Sequence, residues 1–442
     1  METLLSDFEE FINDLEVDKF VITGENIEKL DQKDLPFSYH NPSSSLVEEI
    51  YAQKGVKDPV PNTQDFFLGE VQNNPVIQNL QFELTSRCNE RCIHCYIPNA
   101  KKDSGTDMPI SKVKSIIDEF AQMGGLSVTL SGGEVLLHPY LKEIISYCRQ
   151  KDLKISILSN LIALSDDLVS TLKTSNIALI QVSLYSMDPA IHDSITQVKG
   201  SWIKTKSAIE KLVKANIPVQ ISCPLMKANK KGYANVTKYA RDLKIKCQTD
   251  YIMMAQADLD TSNLVNRLSL EESKEVIRDI VLNDYDYREK TLTQIPPSEE
   301  MLLDFEGFKQ QPVCGVGFDN CCITANGDVY PCAGWQDYVL GNVFKSSLQE
   351  IWNESERVKF LRTIREESFP ECLRCEARDY CSRCLVRNYN ESNGDMFKIN
   401  RHFCEIAFLT KKIVEEELGP DIERREKLLL QRLNNEQKSH TD

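Results

Sequence analysis

Between residues 79 and 283, short apolar, β-branched runs alternate with longer stretches whose apolar positions recur every three to four residues. Such alternation marks repeated strand and helix units. Strands are expected at LQFELT from Leu80, LSVTLS from Leu126, LKISILS from Leu153, ALIQVSL from Ala178, IPVQISC from Ile217 and KIKCQTDYI from Lys244. Helical stretches fall at Ile110 to Gln122, Tyr140 to Arg149, Trp202 to Ala215 and Ser269 to Leu282. This order predicts an α/β fold with a parallel sheet and helical crossovers, and the six strand-helix units suit a partial (β/α)6 TIM-like barrel. In such a barrel the loops at the carboxyl ends of the strands build the active site, so chemistry is sought directly after each strand.

Outside that region the pattern changes. The first 78 residues hold an apolar run, KFVITG from Lys19, and a helical run, SLVEEIYAQKG from Ser45, separated by the turn-rich DLPFSYHNPSSS. After Cys404, IAFLTKKIVEEELGPDIERREKLLLQRL has helical period with an expected break at Gly419 and Pro420. It reads as an amphipathic helix over a cysteine-rich region, followed by a charged tail. The chain therefore divides into an N-terminal extension (1–78), the barrel (79–300), a small cysteine-rich domain (301–410) and a C-terminal helix and tail (411–442).

The 442 residues are 41% hydrophobic and 27% charged, the composition of a soluble globular chain with a sizeable core. A formal net charge of −15 argues against a nucleic-acid partner, and the Lys-rich KANKKG from Lys227 reads as a solvated loop. The first residues carry no basic segment followed by an apolar one, and no run of about 18 apolar residues occurs. A cytoplasmic protein without a membrane partner is expected. Its 15 cysteines then point to metal binding, because a reducing compartment does not maintain disulfides.

Three of the cysteines, Cys148, Cys223 and Cys247, sit in apolar helix or strand patterns and read as small buried hydrophobes. The other twelve form two groups. Cys88, Cys92 and Cys95 follow the first strand with the spacing C-x3-C-x2-C. Three thiolates on one short loop can hold three irons of a 4Fe-4S cubane and leave the fourth iron free for a ligand. Zinc, with His94 as a fourth ligand, is the alternative. After the second strand comes SGGE, from Ser131 through Gly132 and Gly133 to Glu134. The glycines let backbone approach a ligand and the carboxylate can accept from an amine, although the same tetrapeptide can be a plain strand-to-helix turn.

The triplet followed by Tyr96, with SGGE one strand later, resembles the radical S-adenosylmethionine (SAM) superfamily. The resemblance implies that the open iron chelates SAM and that Gly132, Gly133 and Glu134 bind its amine, with Tyr96 near the adenine. It further implies ribose or carboxylate contacts from Ser159, Asn160 and Ser183, residues that are also ordinary at strand ends. One-electron reduction by an external donor such as flavodoxin or ferredoxin would cleave SAM to methionine and a 5'-deoxyadenosyl radical, which the protein must position and shield.

The second group comprises Cys314, Cys321, Cys322, Cys332, Cys372, Cys375, Cys381, Cys384 and Cys404. Twelve residues separate Cys314 from Gly327 and four separate Gly327 from Cys332, with NGD an expected hairpin turn. Next comes C-x2-C-x5-C-x2-C, and Cys404 closes the set. A zinc ribbon could use paired cysteines of this kind. The pattern resembles the SPASM extension of peptide-modifying radical SAM enzymes, which carries two auxiliary 4Fe-4S clusters, although its last spacing is one residue shorter than the usual C-x3-C. By that resemblance Cys372, Cys375, Cys381 and Cys404 would bind the outer cluster, and Cys314, Cys332 and Cys384 the inner one, completed by Cys321, by Cys322 or by neither.

The resemblance implies an enzyme that abstracts hydrogen from a ribosomally made precursor peptide and installs a thioether or carbon-carbon crosslink. For residues 1–78 it suggests a reduced leader-peptide-binding element, with a plain packing extension as the alternative. An anaerobic sulfatase-type formylglycine maturase is the alternative, disfavoured because those relatives carry an acid after the cysteine corresponding to Cys332, where this chain has Ala333. A non-catalytic iron-sulfur or zinc scaffold is the alternative of another class. Asp250 and Tyr251 end the sixth strand and Tyr185 follows the fourth, so each either faces the radical or serves packing or a turn, and no catalytic base is assigned.

Overall fold

The computed structural model describes residues 75–284 and 305–439, except 382, together with residues 12, 287, 288, 291 and 292. The expected leader-binding element falls outside the described residues.

All six expected strands form, as β1 (Asn79–Glu83), β2 (Ser127–Ser131), β3 (Lys154–Ser159), β4 (Leu179–Ser183), β5 (Val219–Pro224) and β6 (Lys246–Asp250). They lie side by side in chain order, every pair parallel. Alternation decides their two faces. Leu80 and Phe82, Val128 and Leu130, Ile155 and Ile157, and Ile180 and Val182 are buried in the main core, whereas Gln81, Thr129, Ser156 and Gln181 occupy the intervening positions. One face of the sheet thus carries the apolar core and the other is largely polar.

The helices after β1 to β6 supply the other half of that core. They are α1 (Asn99–Asp103) and α2 (Ile110–Gln122) after β1, α3 (Leu141–Gln150) after β2, and α4 (Asp166–Thr174) after β3. After β4 come α5 (Pro189–Thr196) and α6 (Ser201–Lys214), then α7 (Tyr233–Asp242) after β5 and α8 (Leu270–Asn283) after β6. In α2 the buried Val113, Ile116, Ile117 and Phe120 fall on one stripe. The start of α8 is fixed by a capping box, in which the Glu272 N–H donates to Ser269 Oγ at 3.2 Å and the Ser269 N–H to Glu272 Oε2 at 2.8 Å. Cys148 and Cys223 lie fully buried in the apolar core and half-buried Cys247 packs against it, as expected of small hydrophobes.

The cysteine-rich region continues the barrel sheet. A short helix, α9 (Phe305–Lys309), leads to β7 (Asn320–Ile323), which pairs in parallel with β1, the strand that begins the barrel. The NGD turn folds as expected: β8 (Asp328–Tyr330) returns antiparallel to β7, and Gly327 takes φ +86° at the bend. With β9 (Gly341–Asn342) the sheet reaches nine strands in the order β6-β5-β4-β3-β2-β1-β7-β8-β9. Trp335 and Trp352 are buried, the latter in α10 (Leu348–Glu354) with its indole N–H donating to the Pro75 carbonyl at 2.9 Å. Helices α11 (Glu356–Leu361), α12 (Pro370–Leu373) and α13 (Leu385–Glu391) follow.

The last helix, α14, runs unbroken from Arg401 to Ser439 with Pro420 inside it, so the expected break at Gly419 and Pro420 does not occur. A proline inside a helix removes one hydrogen bond and costs about 3 kcal/mol. Packing overrides that cost: Ile406, Ile413, Val414 and Leu418 pack with Ile277 and Val281 of α8, and Arg278 pairs with Glu417 at 2.9 Å. The helix thus straps the barrel itself as well as the cysteine-rich region.

Candidate active site at the barrel mouth

The loop carrying Cys88, Cys92 and Cys95 leaves the end of β1 and is held on several sides. The Arg91 and Ile93 N–H groups donate to the carbonyls of Thr196 and Ile195, each at 3.0 Å. Asn266 Nδ2 donates to the Ile93 carbonyl at 3.1 Å, and the Ala257 N–H to the Tyr96 carbonyl at 2.8 Å. Arg87 pairs with Asp107 at 2.7 Å. The loop is therefore a fixed platform with three free, half-buried thiols.

The surroundings of those thiols suit a negatively charged cluster. Lys102, on α1, is only 3% exposed. Burial works against its charge, but Cys95, Cys88 and Cys92 outweigh that effect and raise its pKa. Cys92 Sγ lies 3.3 Å from the Glu90 carboxylate, and burial pushes the Cys88 thiol up to about 11. Loading with metal must therefore displace protons from these sulfurs. Among the described residues no three His, Cys, Asp or Glu side chains converge closely enough to share one metal ion, whereas a cubane gives each thiolate its own iron. The His94 ring lies edge-on to Tyr185 with centroids 4.9 Å apart.

The SGGE turn has a role that its sequence did not reveal. Gly132 takes φ +153°, and a Cβ there would lie 2.5 Å from the Thr85 carbonyl oxygen. One on Gly133 would lie 2.4 Å from that of Arg87. The two glycines bring the turn onto the backbone just before Cys88, where the Gly133 N–H donates to Thr85 at 2.7 Å and the Glu134 N–H to Arg87 at 2.8 Å. Buried Glu134 then fastens the turn to the end of β3. Its Oε1 accepts from Ser159 Oγ at 2.6 Å and the Leu136 N–H at 3.0 Å, and its Oε2 from the Asn160 N–H at 2.8 Å. Asn160 Nδ2 continues to Asn89 Oδ1, at 2.7 Å, inside the cysteine loop. Tyr96, Gly132, Gly133, Glu134, Ser159 and Asn160 are thus gathered around that loop, with much of their polar capacity spent on joining its neighbours. Ser183 ends β4 opposite Ser222 of β5.

The substrate-side candidates separate. Tyr185 packs on the cluster loop, its hydroxyl 3.9 Å from Cys92 Sγ. Asp250 accepts from the Ile252 N–H at 2.7 Å and shapes the turn after β6. The Tyr251 hydroxyl lies 3.4 Å from that of Tyr287 and 3.3 Å from Thr410 Oγ1, and its ring packs under α14.

The remaining cysteines divide into two electrostatic neighbourhoods. Burial, and then Cys384 and Cys332 facing it, push the Cys314 thiol up to about 12. Cys381 faces Cys404, Cys372 and Cys375. Cys384 stands between the two, facing Cys314 and also lining one cavity with Cys372, Cys381 and Cys404. Adjacent strand residues point to opposite faces, and β7 uses that to separate its cysteine pair. Cys321 pairs with Leu80 of β1 and joins the apolar core, whereas Cys322 pairs with Gln81 and Tyr330 and faces Cys332.

Comparison with known proteins agrees with this geometry. The model of the radical SAM superfamily matches residues 82–256, and that of the SPASM iron-sulfur cluster-binding domain matches 314–376. The chain belongs to the radical SAM superfamily. This radical SAM enzyme is 28% identical over 333 residues to the antilisterial bacteriocin subtilosin biosynthesis protein AlbA of Bacillus subtilis, covering 72% of this chain and 69% of that one. It is 26% identical over 330 residues to the AdoMet-dependent heme synthase of Methanosarcina barkeri, covering 72% and 93%. Its fold matches Streptococcus suis SuiB bound to precursor peptide SuiA with a TM-score of 0.57 at 16% identity, over 87% and 85% of the two chains. The chain therefore has a SAM-binding 4Fe-4S site and auxiliary iron-sulfur binding in its SPASM region, and the non-catalytic scaffold is set aside. Among the described residues no helix is long and apolar enough to cross a membrane.

Sequence reasoning missed Glu83, Glu90 and Lys102, all buried polar residues at the same mouth. Glu83 had a signal, an acid closing an otherwise apolar strand. Lys102 had none, since a lysine in a short polar helix ordinarily reads as exposed.

Proposed function

We propose that this radical SAM enzyme is a cytoplasmic peptide maturase that abstracts hydrogen from a precursor peptide and installs a thioether or carbon-carbon crosslink. The observation that carries the reading is the pairing of β7 with β1, because it joins the strand of Cys322 to the strand from whose end the Cys88, Cys92 and Cys95 loop leaves. Oxidative crosslinking releases one electron after hydrogen abstraction, and an iron-sulfur centre beside the substrate chamber would accept it. The similarity to a bacteriocin biosynthesis protein supports a peptide substrate.

In this reading Cys88, Cys92 and Cys95 hold the SAM cluster, and Cys372, Cys375, Cys381 and Cys404 the outer auxiliary cluster. Cys314, Cys332 and Cys384 hold the inner one, with Cys322 rather than Cys321 available as its fourth ligand. When bound, the SAM cluster supplies the electron that cleaves SAM, received from a flavodoxin or ferredoxin. The chain's own residues orient and shield: the Gly132–Gly133 turn and Glu134 fix the cofactor loops, and Lys102 balances the thiolate charge.

A second reading, chemistry on a porphyrin, is favoured by the 93% coverage of the heme synthase relative. The deciding experiment is anaerobic reconstitution, with mass spectrometry of a short Cys-rich or aromatic-rich peptide encoded beside the gene and, in parallel, of an iron porphyrin. A mass loss of two hydrogens from the peptide, accompanied by 5'-deoxyadenosine, is expected. Conversion of the porphyrin with the peptide unchanged would replace the maturase reading.

A further inference from the structure

At the end of β1 stands a buried carboxylate, that of Glu83. Glu83 is 5% exposed and lies two residues beyond Gln81, on the strand face shared through the register with Thr129 and Cys322. Tyr96 Oη donates to its Oε1 at 2.9 Å, and Gln336 Nε2 donates to Oε1 and Oε2 at 3.1 and 3.0 Å. Tyr96 directly follows Cys95, and Gln336 lies four residues after Cys332. The carboxylate therefore bridges the two cysteine loops. Lys101 Nζ backs the arrangement by donating to the Gln336 carbonyl and Oε1 at 3.1 and 3.2 Å. A carboxylate offers about four acceptor positions, so Oε2, with one donor from Gln336, keeps capacity for a substrate proton.

We infer that Glu83 is the proton acceptor of the reaction, supplied from β1 where Ala333 leaves the position after Cys332 without an acid. The inference rests on the peptide-maturase reading. For a thioether, one hydrogen atom passes from the peptide carbon to the 5'-deoxyadenosyl radical, giving 5'-deoxyadenosine. The carbon then bonds to a peptide cysteine sulfur. The S–H bond breaks, its proton passes to Glu83 Oε2, and the remaining electron leaves to an oxidised auxiliary iron-sulfur centre.

The environment suits that role. Burial raises the Glu83 carboxyl to about 7, against the pull of Tyr96, Gln336 and Lys101. Tyr330, Cys322 and Cys332 also face it.

The test compares the wild-type holoenzyme with Glu83→Gln and Glu83→Asp, using the precursor peptide. Glu83→Gln should keep its iron content and cluster EPR spectra and still form 5'-deoxyadenosine on peptide addition, while crosslinking falls by about 10²- to 10⁴-fold. Glu83→Asp should restore part of the rate. Infrared difference spectra of the loaded enzyme on turnover with peptide should gain a protonated-carboxyl band in the wild type that is absent from Glu83→Gln. Undiminished crosslinking in Glu83→Gln would overturn the proposal, as would joint loss of iron and 5'-deoxyadenosine, which marks a purely structural role. A wild type that makes 5'-deoxyadenosine but modifies no peptide would overturn the maturase reading and this proposal with it; equal crosslinking by wild type and Glu83→Gln overturns the proposal alone.

Discussion

Gly133 and Thr85 are joined backbone to backbone, the N–H of one donating to the carbonyl of the other at 2.7 Å. A Cβ on Gly133 would also lie 2.6 Å from the Ser86 carbonyl oxygen, so no side chain fits between the turn and the strand end. Gly133→Ala must push the turn away from the cysteine loop, at a cost of about 1–3 kcal/mol. Iron binding should survive while SAM cleavage falls at least about tenfold. Iron assay and 5'-deoxyadenosine quantification on the same sample check this.

The two neighbouring cysteines of β7 should respond differently. Cys321→Ala removes a sulfur from an apolar core and should leave iron content and EPR spectra unchanged. Cys322→Ala should alter the inner auxiliary cluster's EPR signal without affecting that of the SAM cluster. Identical spectra for the two variants would contradict the assignment.

Arg267 and Glu391 form an ion pair with side chains 11% and 9% exposed. Arg267 Nη1 donates to Glu391 Oε2 at 2.9 Å, Asn400 Nδ2 donates to the same oxygen at 2.7 Å, and Arg267 Nε reaches the Met253 carbonyl at 2.8 Å. The pair ties the segment after β6 to α13. Removing one partner strands a buried charge, so Glu391→Ala should cost about 3–5 kcal/mol. The double variant Arg267→Met, Glu391→Leu should recover a large part of it. Thermal melting of the wild type, Glu391→Ala and the double variant checks both expectations.

His192 predicts an acid limit. It is 1% exposed, with Nδ1 accepting from the Tyr185 N–H at 3.3 Å. Burial lowers its pKa to about 4, with Asp193 pulling the other way. As pH falls below about 6.5, the unfolded chain takes up a proton that the folded one refuses until about 4. Its contribution is therefore fully present above pH 6.5 and lost between 6.5 and 4, on the order of 3 kcal/mol. His192→Phe should be less stable by a constant amount and lack this part of the pH dependence, which melting curves from pH 7.5 to 4.5 would show.

Local patterns carried much of this fold. The six strands and four helices read from the chain formed close to their expected positions, because each owed its signal to neighbours in sequence. What depends on distant partners was not readable. Nothing near Asn320 indicates that β7 will pair with β1. Alternation says that Cys321 and Cys322 diverge but not which one meets Cys332. The Gly132–Gly133 pair announces a close approach without naming Thr85 and Arg87 as what is approached. Pro420 predicted a break because the grip of α8 on α14 lies outside the local window.

The pairing of β1 with β7 also constrains how the chain is made. At synthesis rates of about 5–20 residues per second, β1 waits on the order of tens of seconds before Asn320–Ile323 emerges. Until then one edge of β1 presents unpaired amides and carbonyls that any extended segment can occupy. The newborn barrel is therefore most vulnerable to misassembly before its cysteine-rich end exists, and a chain truncated after the sixth strand would retain that open edge permanently.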